Sequence, residues 1–235
     1  MAALAAISLL TACGSQASPS GGLPRRSIEL TDPEGGTLYL VSDLIQSEDS
    51  DVVLSSTPIV TEDCPYGQAI LFDGMDDQIV LQETPLAGLN HFTVEVLLRP
   101  DSGGSREPRF LHIGEINGDR MMLEARLTED GGWALDTYLR AGEAWLVLLD
   151  RELLHPVGQW AHVALVVENG QARNYVNGEP ELNGEFVFDP VDTGVVSIGA
   201  RANRRHWFKG AIHSIRITPR PLRPEEFTTG IPHTE

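Results

Sequence analysis

Glu95, Glu124, Arg126, Asp136 and Tyr138 lie in runs where nearly every second residue is apolar. Such alternation sends successive side chains to opposite faces of a strand. In Phe92 to Arg99 the residues Phe92, Val94, Val96 and Leu98 share one face and leave Glu95 and Arg99 on the other. Met121, Leu123, Ala125 and Leu127 oppose Glu124 and Arg126 in the same way, and Trp133, Leu135, Thr137 and Leu139 oppose Asp136, Tyr138 and Arg140. If these strands share a sheet, carboxylates, guanidiniums and a phenol form one polar surface. A retaining glycosidase needs two carboxyls about 5–5.5 Å apart and an inverting one about 6.5–9.5 Å, separations that neighbouring strands supply. Glu95, Glu124 and Asp136 are the acids for that chemistry. A polysaccharide lyase needs a base and a group that neutralises a uronate, roles open to Arg126, His112 and Tyr138. A binding groove would use arginines in bidentate contact with carboxylate or sulfate, with Tyr138 and a nearby tryptophan or histidine against the sugar rings. The plainest alternative is a solvated face of cross-strand Glu–Arg pairs, each contributing about 0.2–1 kcal/mol.

A second concentration lies near the end of the chain. Arg201, Asn203, Arg204, Arg205, His206, Trp207 and Lys209 form a basic and aromatic cluster, and seven of the 17 Lys and Arg residues fall between Arg201 and Arg223. The candidate ligand contacts are therefore Arg99, His112, Arg126, Tyr138, Arg201, Asn203 and Arg205. The competing reading is a solvated hairpin with Trp207 and Phe208 folded into the core. The seven histidines show no spacing suited to zinc, and there is no phosphate loop, serine elbow or dinucleotide fingerprint.

The elements that must position these residues are short. From Gln68 onward the chain reads as eleven or more alternating runs of strand length, separated by turn signals. Asn-Gly pairs at 117, 169, 177 and 183 are candidate type I′ hairpin turns, because both central positions tolerate positive φ. Pro224 to Phe227 reads as a single helical turn with proline at its start. This pattern predicts an antiparallel sandwich or barrel in one compact domain. With 34 Asp and Glu against 17 Lys and Arg, the chain of 235 residues carries a formal charge of −17. An acidic surface of that size excludes nucleic acid as a partner, since phosphate binding needs a basic face that releases counterions.

Six elements in order carry a family pattern: Phe72-Asp73-Gly74 with Asp76-Asp77, Phe92-Thr93-Val94-Glu95, Trp160-Ala161-His162-Val163-Ala164, Tyr175-Val176-Asn177-Gly178, Ser197-Ile198-Gly199, and Phe208-Lys209-Gly210-Ala211-Ile212. This series resembles the laminin-G-like jelly roll of the concanavalin A-like lectin and glucanase superfamily. The resemblance implies an all-β, antiparallel two-sheet sandwich whose concave sheet holds carbohydrate in many relatives. It implies no activity, because lectins, hydrolases and lyases share the scaffold. The Glu-x-Asp-x-x-Glu signature of jelly-roll glucanases is absent, since the strand reads Leu123-Glu124-Ala125-Arg126-Leu127, and the lyase motifs are not matched. Calcium is the cofactor the scaffold implies, and Asp73, Asp76 and Asp77 would supply hard oxygen ligands in one turn. The alternative is that Asp73 and Asp76 shape the turn by bonding to their own backbone. Where relatives carry an acidic residue on the last strand, this chain has His213. His162 reads as a structural residue.

The first twelve residues, MAALAAISLLTA, are uncharged and about half the ~20 residues that a membrane-spanning helix needs. Leu10-Thr11-Ala12-Cys13-Gly14 resembles a bacterial lipobox, which implies a lipoprotein signal peptide over 1–12 and lipidation of Cys13. A polar tether over 13–26 and a domain over 27–230 follow. The rival use of Cys13 is a disulfide to Cys64. The resulting expectation is a membrane-anchored envelope lipoprotein, on the periplasmic or extracellular face, whose non-catalytic module recognises a glycan or an envelope protein. The alternative is a carbohydrate-active enzyme.

Overall fold

The computed structural model describes residues 30–31 and 35–228. In chain order the strands are β1 (Leu30–Thr31), β2 (Thr37–Leu40), β3 (Val52–Leu54), β4 (Ile59–Cys64), β5 (Gly67–Asp73), β6 (Ile79–Leu81), β7 (Phe92–Pro100), β8 (Arg109–Gly114) and β9 (Arg120–Leu127). They continue with β10 (Gly132–Ala141), β11 (Ala144–Leu149), β12 (His155–Pro156), β13 (Ala161–Glu168), β14 (Gln171–Val176), β15 (Glu179–Glu185), β16 (Val195–Ile198) and β17 (Lys209–Thr218). One four-residue helix, Val41–Leu44, follows β2, and a 3₁₀ turn over Pro224–Glu226 stands where the sequence predicts a helical turn.

These strands form two antiparallel sheets. Nine strands make the first, in the order β1-β2-β17-β7-β13-β14-β15, with β5 also on β17 and β4 on β5. Eight make the second, in the order β11-β10-β9-β8-β16-β6-β3, with β12 on β10. The period-2 alternation explains the arrangement: Val94, Val96 and Leu98 from the first sheet and Leu123, Ala125 and Leu135 from the second enter one shared core, all within 1% of fully buried. Phe208 packs edge-on against Phe72 and Phe110, with ring centroids 6.3 and 6.0 Å away. Each such pair contributes about 0.5–1.5 kcal/mol beyond the area it buries. One buried polar bond ties the sheets together, from Asn174 Nδ2 on β14 to Thr137 Oγ1 on β10 at 3.3 Å.

Turn chemistry accounts for the hairpins only in part. Asn169-Gly170 and Asn177-Gly178 take positive φ at both positions and join β13 to β14 and β14 to β15. Asn183-Gly184 does not form a turn but lies inside β15, paired with Arg173 and Ala172. Gly184 is needed there for close approach, because a Cβ would lie 2.8 Å from Leu146.

The segment after β17 folds back over the outer face of the nine-stranded sheet. Leu222 and Phe227 bury themselves against Ala164, Val166 and Tyr175, and the Leu222 N–H donates to Thr93 Oγ1 at 2.8 Å while that hydroxyl donates to Arg220 O at 2.9 Å. This strap covers that face over β7, β13 and β14. At the other end of the sandwich, Gly199 (φ +84°) turns the chain out of β16 toward the basic loop, and a Cβ on it would lie 2.3 Å from the ring of buried Phe72. Gly199→Ala is expected to cost about 2–4 kcal/mol, combining backbone strain with overpacking. Chemical denaturation would read this as a shift in midpoint at constant slope, and an unchanged midpoint would refute the contact.

Candidate functional site

Cross-strand register on the outer face of the eight-stranded sheet brings three ranks of side chains together. Arg109, Glu124 and Asp136 stand side by side on β8, β9 and β10. The next rank is Ser197, His112, Met122, Tyr138 and Val147, and the one after it is Arg120, Arg140 and Trp145. A bulge at Phe110 sends that ring to the core and keeps Arg109 beside Glu124 on the outer face.

The first rank is an ionic network closed in charge, although Arg109 Nε, Glu124 Oε2 and Asp136 Oδ1 complete no hydrogen bond among the described residues. Arg126 approaches Glu124 at 3.1 Å, Asp136 at 2.5 Å and Glu107 at 2.6 Å, and Arg109 reaches Glu124 at 3.1 Å. The Glu124 and Asp136 side chains are each only 2% exposed. Burial pushes the Glu124 carboxyl up to about 7, against the pull of Arg109 and with a further push from Asp136. Asp136 is also raised by burial, against the pull of Arg126. Removing either partner of such a network leaves a buried charge uncompensated.

The other ranks are not closed. Fully buried His112 has only the backbone of Gly114 and Glu115 for hydrogen bonding, at less than ideal geometry. Burial, with Arg201 and then Arg120 adding repulsion, brings this imidazole down to about 4, so it is neutral at pH 7; the backbone of Gly114 and Glu115 works weakly the other way. Arg120 donates to Gly118 O at 2.6 Å and to Tyr138 Oη at 3.2 Å, and its guanidinium lies 4.8 Å from the centroid of the Tyr138 ring. Arg201 comes from the loop after Gly199, is anchored by Gln78 Nε2 donating to its carbonyl at 3.1 Å, and donates to Ile116 O at 2.7 Å. Asn203 follows it, with its Oδ1 buried and without a donor. Beyond Tyr138 the face turns apolar, with Trp145 66% exposed and Val147 39% exposed on β11.

The sequence-predicted residues therefore divide. Glu124, Arg126, Asp136, Tyr138, His112 and Arg201 meet on this face. Glu95 and Arg99 do not, because β7 belongs to the other sheet. Glu95 lies under the strap and accepts from His162 Nε2 at 3.0 Å, Arg216 Nη1 at 3.1 Å and the Thr228 N–H at 2.6 Å. It holds the strap down, and His162 has the structural role expected of it. Arg99 is spent on Asp101, through bonds of 3.0 and 3.1 Å, beside the Trp160 ring. Arg205 is exposed at the far side of the basic loop, bridged to Arg201. Phe208 enters the core, whereas Trp207 stays half-buried beside Arg204. Sequence reasoning missed Arg109, Glu107 and Arg120 as partners and did not single out Trp145. The parity of Ala144 to Leu149, with Leu146 and Leu148 inward, was the available signal for Trp145.

The laminin-G family model described as the concanavalin A-like lectin/glucanases superfamily matches residues 73–227. The chain belongs to this superfamily. Among solved structures, its laminin-G-like domain is similar to domain 4 of AbnA, a GH43 extracellular arabinanase from Geobacillus stearothermophilus, in complex with arabinotriose, with TM-score 0.57 and 23% identity over 84% of this chain and 90% of that one. It is also similar to the Ruminococcus gnavus IT-sialidase CBM40 bound to alpha2,3 sialyllactose (0.55, 20%, 74% and 98%) and to the heptameric SAP-like pentraxin from Limulus polyphemus (0.54, 19%, 67% and 78%). No curated protein matches the chain. These likenesses show the fold.

In the acidic turn of the laminin-G-like domain Asp73 bonds to the local backbone as the alternative requires, while the second such carboxylate is Asp77 and not the expected Asp76. Asp73 Oδ1 accepts from the N–H of Met75 at 2.7 Å and of Asp76 at 3.3 Å, while buried Asp77 accepts from the Asp73 N–H at 2.7 Å and from Ser56. One ligand atom from each of Asp73, Asp76 and Asp77 lies within 4.8 Å of the others, so the turn also gathers oxygens of the kind calcium takes. Cys64 is a buried thiol, pushed up by burial. Cys13, the lipobox and the tether lie outside the described residues.

The raised Glu124 carboxyl has a consequence for stability. Between its ordinary value of 4.5 and its folded value of about 7 the folded state holds more protons than the unfolded one, so its contribution to stability falls as pH rises through that window. His112, lowered to about 4 from 6.5, acts oppositely between those values. The stability of wild type relative to Glu124→Gln is therefore expected to decline from pH 4.5 to 7, by roughly 1–3 kcal/mol. Denaturant melts of both proteins across this range check it. Parallel profiles would show that Glu124 titrates normally.

Proposed function

We propose that this protein is a cell-envelope lipoprotein whose laminin-G-like domain is a non-catalytic module that binds a glycan on the outer face of its eight-stranded sheet. The carrying observation is the juxtaposition on neighbouring strands of exposed Trp145 and Val147, half-buried Tyr138 and the Arg120 guanidinium, which is bonded to neutral groups. A sugar needs that combination: a flat apolar surface for its C–H face and fixed donors and acceptors for its hydroxyls. Part of the other outer face is covered by the chain's own strap. Solved domains of this fold that hold arabinotriose and sialyllactose support the reading.

One observation speaks for a hydrolase: Glu124, raised to about 7, stands directly opposite a second carboxyl, Asp136. Binding is the better reading because Arg109 and Arg126 close both carboxyls off. If the chain were an enzyme, polysaccharide cleavage would be lost in Glu124→Gln. A polysaccharide panel that shows no cleavage by the wild type removes that alternative.

Trp145 is mostly exposed, so Trp145→Ala leaves the fold intact while removing the stacking surface. Affinity for whichever polysaccharide a glycan array selects should fall at least about tenfold, roughly 1.4 kcal/mol. Unaltered affinity would displace the site from this face, and a pull-down that captured only proteins would replace the glycan. The lipobox reading predicts labelled palmitate on the wild-type chain expressed in a bacterium and none on Cys13→Ala. Equal labelling would refute the anchor.

A further inference from the structure

The arginines of the eight-stranded sheet fall into two sets. Arg109 and Arg126 are neutralised by Glu107, Glu124 and Asp136. Arg120 and Arg201 bond instead to neutral groups, the Gly118 and Ile116 carbonyls and the Tyr138 hydroxyl, and have no carboxylate at ion-pair distance among the described residues. Each is close enough to the other to repel it, and each keeps a buried Nε without a partner. Glu124 offsets part of the Arg201 charge but is already held by two other arginines.

His112, fully buried beside the backbone of Gly114 and Glu115, feels the repulsion of both arginines. A buried charge without a counterion is costly. Two guanidiniums with no carboxylate partner among the described residues, in a chain of formal charge −17, are a local reversal of sign. Long-range repulsion by the acidic surface does not cancel it, because at about 0.1 M salt charges are screened beyond roughly 10 Å.

We propose that Arg120 and Arg201 form a subsite for one anionic group, a sugar carboxylate or a sulfate ester, and so select acidic polysaccharides over neutral ones. The proposal rests on the glycan reading for its ligand but on these two arginines for its chemistry, with buried His112 behind them as a reporter. Carboxylate and sulfate oxygens match the fork of donors that arginine presents. Tyr138, held by Arg120, sets the anion subsite beside the ring-stacking strip that ends at Trp145.

The test uses the full chain, first with small probes and then with oligosaccharides. The ring nitrogens of His112 are followed by ¹H–¹⁵N NMR while sodium sulfate, glucuronate or glucose is added at constant ionic strength. Sulfate and glucuronate should give saturable shifts and glucose none. Arg201→Gln, at a half-buried loop position, should weaken that response at least tenfold, as should Arg120→Gln if it folds. Oligouronates, sulfated oligogalactans and neutral oligoglucans then identify the source of the anion: preference for the first assigns a carboxylate, and for the second a sulfate ester. Neutral oligosaccharides binding as tightly, with no effect of Arg201→Gln, would overturn the anion subsite and leave the glycan reading standing. Saturable anion binding without binding of any oligosaccharide would support the subsite and remove the glycan reading. No saturable response to either anion would overturn the proposal.

Discussion

A sheet in a sandwich has two faces with opposite obligations, and the period-2 alternation of the chain enforces both at once. Every strand that turns Leu123 or Val94 inward must turn Glu124 or Glu95 outward. A register slip of one residue would exchange them, so the polar chemistry is fixed by the same packing that makes the core. What remains to be decided on each outer face is what covers it. Over β7, β13 and β14 of the nine-stranded sheet the answer is the chain's own segment after β17, with Glu95, His162 and Arg216 as its fastening. On the eight-stranded sheet the charges cover one another in the first rank and are left incomplete in the next two.

That contrast separates structural from functional use of the same residue types. Glu95 and Glu124 are equally buried acids in equivalent strand positions, yet each oxygen of Glu95 receives a hydrogen bond, whereas Glu124 Oε2 is paired without one. Arg126 and Arg120 lie on one strand and one face, and only Arg126 has counterions. Unmet hydrogen-bonding capacity, more than charge or burial alone, distinguishes Glu124 from Glu95.

Much of the architecture was legible because it depends on local periodicity. The runs read around Glu124 and Asp136 are strands β9 and β10, and the six family elements, from Asp73 onward, lie in the matched region. Short edge strands such as β3 and β12 escaped, since three or two residues carry no period. Face assignment within each strand was also legible. Sheet membership was not: nothing in Phe92 to Arg99 reveals that it pairs with Ala161–Glu168 rather than with Arg120–Leu127. The error that placed Glu95 and Arg99 beside Glu124 follows from that, because pairing is settled by long-range connections that alternation does not encode. The same reason hid the partnership of Arg109 with Glu124, which a bulge at Phe110 brings into register.

Gly199 links the interior to the basic loop more directly than any charge does. Its backbone rests against the Phe72 ring, and Arg201 begins two residues later, anchored through Gln78. The reach of that guanidinium is therefore inherited from the shape of an aromatic residue buried in the core. Divergence among descendants of this domain could retune recognition by exchanging Phe72 for a neighbour in size, with every side chain on the binding face left as it is.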